Sequence, residues 1–352
     1  MRLKLLGSVI VVAALTAATV GAPAVALRTY ADLYPVVQAW VTPVSNRVPV
    51  PMFDLTLAAL LVVAVTAAVR TTRLAWRARS IRPLARVTAV TLVIASVLYL
   101  WFLLIWGYNY QQPGVEAAIP SYQADRARPD LVRRLAELAV ARSNQLHAEA
   151  HRGGFPAVDE VPGPLLVSLH AVEQRLGRPR PTAPSTPKRP WTAPYMRAVG
   201  VSGMLAPWFL ETYLNPDLTG PERPYVLAHE WAHLSGYAPE EDASFVGLLA
   251  ALGADVPSQY SAWLFLASEA AMRLQPVTRD LVVAEFEAGP RADLRAISAR
   301  LQLRVPWLDR ASWVAYDRAI KSQGADEGVA GYGRVIDLLL GSDALAAEGL
   351  AP

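Results

Sequence analysis

His229-Glu230-Trp231-Ala232-His233 is the stretch that decides how this chain is read. Residues four apart fall on one face of a helix, so the two imidazoles can grip a single Zn²⁺. Glu230 lies beside them, where a carboxylate can take a proton from a water activated by the metal. The flanks Tyr225-Val226-Leu227-Ala228 and Leu234 are apolar, as a buried helix requires, and Gly236 suits its end. Proline at positions 221 and 224 is compatible with a first turn, which sets the motif helix at about 221–236. Glu240-Glu241-Asp242 follow, with charge that favours the start of a second helix able to fold back over the histidines.

Two histidines leave a tetrahedral ion unfilled, so a third ligand must come from elsewhere. The chain has no cysteine, which removes thiolate ligands and disulfides, and no histidine follows His233. The local candidates are Glu240, Glu241 and Asp242. Glu240 opens an E-x-x-A pattern resembling the third-ligand helix of gluzincin-type zinc peptidases, which makes it the first choice and Asp242 the alternative ligand. A His₂Glu set with an open position favours zinc over other metals.

His147-Ala148-Glu149-Ala150-His151 repeats the spacing of the histidines, but its glutamate comes two positions after the first one. It matches neither H-E-x-x-H nor H-x-x-E-H. With polar surroundings and Arg152-Gly153-Gly154 directly after, it reads as a solvated helix end, where histidine suits the C-terminal dipole. His170 stands alone and reads as structural.

The 352 residues are 53% hydrophobic with a mean hydropathy of +0.25, which directs attention to membrane segments. Apolar stretches run at about 5–26, 53–69 and 87–106, each near the ~20 residues a helix needs to cross a bilayer. Residues 1–107 are therefore expected to form a membrane region with three transmembrane helices. Ala24-Val25-Ala26 resembles a signal-cleavage site, but the apolar run before it is long for a cleaved signal. The segment from Arg70 to Arg86 is rich in arginine and has no acid, so the positive-inside rule places it in the cytoplasm. Loop 27–52 and everything after Trp106 then lie outside, with Trp101, Trp106, Tyr108 and Tyr110 suiting an aromatic belt. The net charge of +3 and pI near 9.1 do not argue for nucleic acid, because the basic residues form no stripe with interleaved aromatics.

Residues 108–352 read as an extracytoplasmic domain that is mainly α-helical. Apolar periodicity places helices over about 125–152 and 164–176, then in series at 258–274, 278–288, 291–302, 308–320 and 328–340. The proline-rich stretch 177–190 reads as a loop or extended arm. Residues 198–214 allow a short strand or two, so the β content is small at most.

The segment Ala228-His229-Glu230-Trp231-Ala232-His233-Leu234-Ser235-Gly236-Tyr237 through Phe245 resembles the H-E-L-A-H-x-x-G-F-x-x-E-x-E-A-N-F core of an uncharacterised bacterial membrane family, domain of unknown function 3810 (DUF3810). Tyr316-Asp317-Arg318 through Gly324, Tyr332-Gly333-Arg334-Val335 through Leu340, and Trp106-Gly107-Tyr108-Asn109-Tyr110 are similar to further motifs of that family, so the resemblance covers about 50–341. Trp231, Asp242 and Ser244 depart from its pattern. Both histidines, Glu230 and Glu240 are kept, which weakens Asp242 as a ligand. The resemblance implies a metallopeptidase-like protein of the bacterial cell membrane, and it supplies no substrate.

The expected activity is that of a membrane-anchored zinc-dependent metallopeptidase acting on a peptide or protein, with His229, His233 and Glu240 on the metal and Glu230 as base. The glycine-flanked motif offers Tyr332 and Arg334 as contacts to the transition state, with Tyr237 a weaker option. Glu211 reads as a hydrogen-bonded structural residue, or else as part of a substrate groove. The competing reading is a non-enzymatic membrane protein whose metal site stabilises an extracytoplasmic binding domain. A transporter is disfavoured, because no ionisable residue sits at the centre of any span.

Overall fold

Two long apolar stretches form helices that the rest of the molecule leaves largely uncovered. The computed structural model describes residues 24–323, 333–342 and 344–346. Helix α1 spans Ala24–Asn46, α2 Met52–Ala78 and α3 Arg82–Ile105. Both α2 and α3 are long and apolar enough to cross a membrane, and only 6% and 11% of their most apolar windows are buried. Side chains such as Leu61, Val62 and Val97 therefore point outward, as a lipid-facing surface requires. The expected first span, 5–26, lies almost entirely outside the described residues.

Two boundaries depart from the sequence reading. Helix α2 continues to Ala78 instead of ending near Val69, because nothing breaks the helix until Arg79, which turns left-handed at φ 47°. Ile81 and Pro83 then open α3. The expected outer loop, 27–52, is mostly helix α1, docked on the body of the protein. Its inward stripe is Tyr30, Tyr34, Gln38, Thr42 and Ser45, spaced for one helix face but mostly polar. Tyr34 donates to the Leu234 carbonyl at 2.8 Å, Gln38 Nε2 to that of Ala183 at 2.7 Å, and Ser45 to that of Phe209 at 2.6 Å. Pro35 and Pro43 lie within this helix, which further hides it from pattern reading.

The body follows as α4 (Pro129–Gly153), α5 (Gly163–Arg175), α6 (Ala193–Ala198), β1 (Gly203–Ala206), β2 (Glu211–Leu214), α7 (Arg223–Leu234), α8 (Glu240–Leu252), α9 (Val256–Met272), α10 (Pro276–Ala284), α11 (Ala288–Leu301), α12 (Pro306–Lys321) and α13 (Val335–Gly341). The fold is mostly helical, and among the described residues there is one two-stranded antiparallel sheet, pairing Gly203 with Leu214 and Ala206 with Glu211. The core runs through α4, α7, α8 and α9, where Leu135, Trp231, Phe245 and Leu266 are sealed from solvent. Apolar side chains removed from water at this density supply the main stabilisation of such a layered helical body.

Buried polar contacts fix the membrane helices to the body. Glu211 is fully buried and ion-paired with Lys188; it accepts from Tyr213 at 2.7 Å and from the Met52 and Phe53 amides at 3.3 Å each. Asp54 accepts from the Trp191 and Thr192 amides at 2.5 and 3.1 Å. These contacts hold the first turn of α2, whose N–H groups have no intrahelical partner. Glu211 is thus a structural anchor.

Candidate metal centre

Helix α7 begins after a capping box, in which Thr219 and Glu222 satisfy each other's end of a preceding short 3₁₀ turn. It ends at Leu234, and Gly236 beyond it takes φ 92°, a conformation that glycine adopts without strain. The chain reverses through 237–239, and α8 then packs across α7. Gly247 makes that crossing close: a Cβ there would lie 2.7 Å from the backbone nitrogen of His229. The reversal brings Glu240, first residue of α8, to the imidazoles of α7.

His229 Nε2 lies 3.3 Å and His233 Nε2 3.4 Å from the same oxygen, Oε2 of Glu240. Ligands about 2.0–2.2 Å from a tetrahedral ion stand roughly 3.3–3.5 Å from one another, so the three atoms occupy corners of such a site. Glu240 Oε2 is buried and accepts no hydrogen bond from any described residue. A buried carboxylate oxygen left in this state is costly without a cation. The donor set and this orphaned atom fit Zn²⁺.

Neighbouring groups orient each ligand. Tyr316 of α12 donates to the other Glu240 oxygen, Oε1. His233 Nδ1 contacts the Tyr237 carbonyl at 2.9 Å, and Ser244 Oγ lies 3.3 Å from His229 Nδ1. These bonds leave both Nε2 atoms aimed at the metal position, as outer-shell partners of zinc-binding histidines do. Trp106, at the end of α3, donates its indole N–H to the His233 carbonyl at 3.3 Å and so ties the site to a membrane helix.

The charges are strongly coupled. Burial opposes ionisation of Glu240, but the positive charge of His233 and the imidazole of His229 beside the carboxyl outweigh it and hold the carboxyl well below the usual range. Burial likewise works against a charged His233, yet the adjacent Glu240 raises it to about 9. Burial pushes His229 down. Glu230 is pushed up to about 8, chiefly by burial, with only partial relief from His233 and the Leu205 amide. Gly203 of β1 leaves room for this carboxyl, since a Cβ there would lie 2.5 Å from Glu230 Oε1.

A cavity of about 780 Å³ contains His229, Glu230, His233 and Glu240. One wall is α3, through Leu98, Tyr99, Phe102 and Trp106. The others are β1, through Met204 and Leu205, and α12, through Trp313 and Tyr316. Polar chemistry therefore sits at the end of a mostly apolar chamber, the usual character of a ligand site.

The remaining sequence candidates lie elsewhere. Asp242 turns its Oδ2 to the Val115 amide at 3.1 Å and is raised to about 7 by burial and by Glu116 and Glu241. Arg334 lies 3.5 Å from Glu241 and 4.0 Å from Glu116, outside the cavity lining. Tyr332 falls outside the described residues. Tyr237 stacks under Arg178, whose guanidinium carbon is 4.8 Å from the ring centroid. Sequence reasoning missed Tyr316, Tyr110 and Trp106 as site residues, although each lies in a stretch shared with the family motifs. His147 and His151 do lie in the last turns of α4 and are partly exposed, and both also face Asp293, which the sequence did not show.

The His229-Glu230-x-x-His233 helix with Glu240 matches the active-site geometry of gluzincin-type zinc proteases and is an enzyme-like site. Comparison with curated proteins and with solved structures finds no match. A family model described as a protein of unknown function, DUF3810, matches residues 30–340. That match spans most of the sequence, both membrane helices and the whole metal centre: the chain belongs to the DUF3810 family.

Proposed function

We propose that this protein is a membrane-anchored zinc peptidase whose catalytic body lies on the extracytoplasmic side. The observation that carries the reading is Glu240 Oε2, buried, without a hydrogen bond, and 3.3 and 3.4 Å from the two histidine nitrogens of an H-E-x-x-H helix. His229, His233 and Glu240 hold the ion. A bound Zn²⁺ supplies a Lewis acid that polarises a peptide carbonyl, lowers the pKa of a water and draws down that of the neighbouring carboxyl. Glu230 takes the proton of the attacking water and returns it to the leaving amine. Tyr316 keeps Glu240 directed at the ion. Arg334 acts at one remove, by holding Glu241 at the start of α8, and Tyr332 remains a candidate contact to the transition state.

The chamber supports a substrate class. Its apolar walls favour a peptide with hydrophobic side chains on both sides of the scissile bond. Because α3 forms one wall, that peptide would be met beside the bilayer. The arginine-rich segment 70–86, which spans the end of α2, the turn after it and the start of α3, supports the orientation, with that turn inside and the body outside.

The test is digestion of a mixed peptide library by the full-length protein in lipid nanodiscs, read by mass spectrometry. Cleavage that a chelator abolishes and zinc restores is expected, with apolar residues enriched around the cut. Absence of zinc-dependent cleavage across the library would overturn the reading.

A further inference from the structure

Helix α4 ends in the second histidine pair, and the fold brings it a carboxylate from more than a hundred residues away. His151 Nε2 donates to Asp293 Oδ2 of α11 at 2.9 Å. His147 Nε2 lies 3.6 Å from that same oxygen, beyond hydrogen-bond reach. The two rings stand 4.3 Å apart, centroid to centroid. A histidine–aspartate hydrogen bond accounts for His151 alone. It gives no reason for a second imidazole to turn the same nitrogen to the same oxygen. Two ligands of one ion do stand at such a separation.

Several parts of the first centre recur around this pair. Tyr260, itself fully buried, donates to Asp293 at 2.5 Å and so fixes the carboxylate, as Tyr316 fixes Glu240. Tyr260 uses the oxygen that faces the histidines, though, and Tyr316 the other one. Gly289 lets α11 close onto α4, since a Cβ there would fall on the His147 imidazole; Gly247 does the same for α8 and α7. The side chains of His147 and His151 are 26% and 40% exposed, so solvent can complete a coordination shell. The residue after His147 is Ala148, which provides no base, and none of the three residues lines the cavity.

We propose that His147, His151 and Asp293 form a second metal site, for a divalent ion of the zinc class, that clamps α4 to α11 and takes no part in hydrolysis. Two imidazoles and one carboxylate suit that class, and such a bridge adds its binding free energy to folding. The proposal is independent of the peptidase reading, because it rests on a different set of residues.

The experiment counts metal by mass spectrometry in the full-length protein, equilibrated with zinc in detergent and then freed of excess ion. Wild type should hold two equivalents, His147→Ala/His151→Ala one, His229→Ala/His233→Ala one, and the fourfold variant none. The zinc-dependent rise in melting temperature should shrink in the His147→Ala/His151→Ala protein. Equal metal in that variant and in wild type would overturn the proposal, as would complete loss of metal in His229→Ala/His233→Ala. Should the double alanine variant lose its helical circular dichroism, Asp293→Asn decides: it is isosteric and should also lose one equivalent. A His229→Ala/His233→Ala protein that keeps its full metal count would instead overturn the first centre, so the two failures are separable.

Discussion

The two histidine pairs are built from the same parts, and their differences show what turns a metal-binding arrangement into a reactive one. Each pair is spaced i,i+4 on a helix, faces a carboxylate from another helix, and has a tyrosine hydroxyl fixing that carboxylate. At the first, the carboxylate is nearly sealed from solvent, one of its oxygens accepts no hydrogen bond, and Glu230 follows the leading histidine inside a large apolar chamber. At the second, the histidines are partly exposed, the facing oxygen is already shared with Tyr260 and His151, and alanine stands in the base position. Spacing provides ligands. Burial, an adjacent base and an enclosed space make them a reaction centre.

The largest contrast is expected in turnover. Removing the first pair, as His229→Ala/His233→Ala, should abolish peptide cleavage. His147→Ala/His151→Ala should leave the rate per folded molecule within about twofold and act on thermal stability instead, a change typical of substitutions away from reacting groups. Comparable loss of cleavage in both would erase the distinction.

Next come the tyrosines. Tyr316→Phe should weaken zinc at the first centre by about 10–100-fold, and Tyr260→Phe should weaken it at the second by a similar factor, as loss of an outer-shell partner typically does. Competition titrations against a zinc chelator check this, and each change should leave the other site untouched.

The smallest contrast lies at the glycines. Gly247→Ala drives a methyl into the His229 backbone, which cannot turn aside, and should cost about 1–3 kcal/mol in denaturant unfolding. Gly289→Ala meets an imidazole that can rotate, so it should cost less stability while disturbing the position of His147. A larger loss at Gly289 than at Gly247 would contradict this ordering.

What was legible in the sequence follows from how local each constraint is. The first centre could be read because α7, its glycine stop and the acid opening α8 lie within one short stretch, and metal chemistry restricts both residue types and spacing. The bilayer restricts composition as tightly, which located α2 and α3, though not the extension of α2 to Ala78. Helix α1 escaped because its buried stripe is mostly polar: hydrogen bonds to the carbonyls of Leu234, Ala183 and Phe209 join the packing of Tyr30 and Tyr34 in holding it in place. Asp293 and Tyr316 escaped for another reason. They stand 142 and 76 positions from their partners; nothing near Asp293 marks it for a site, and the motif stretch that opens with Tyr316 does not show which residue it faces. Tertiary packing of α11 and α12 makes those contacts, and spacing along the chain does not encode it.

The most direct test of the catalytic claim compares zinc-loaded wild type with zinc-loaded Glu230→Gln at matched metal occupancy. The amide keeps the shape of the side chain but cannot accept the proton. Equal zinc with cleavage reduced by about 10²-fold or more is the predicted result. Equal zinc with equal cleavage would contradict the assignment of Glu230 as the base and, with it, this account of the site.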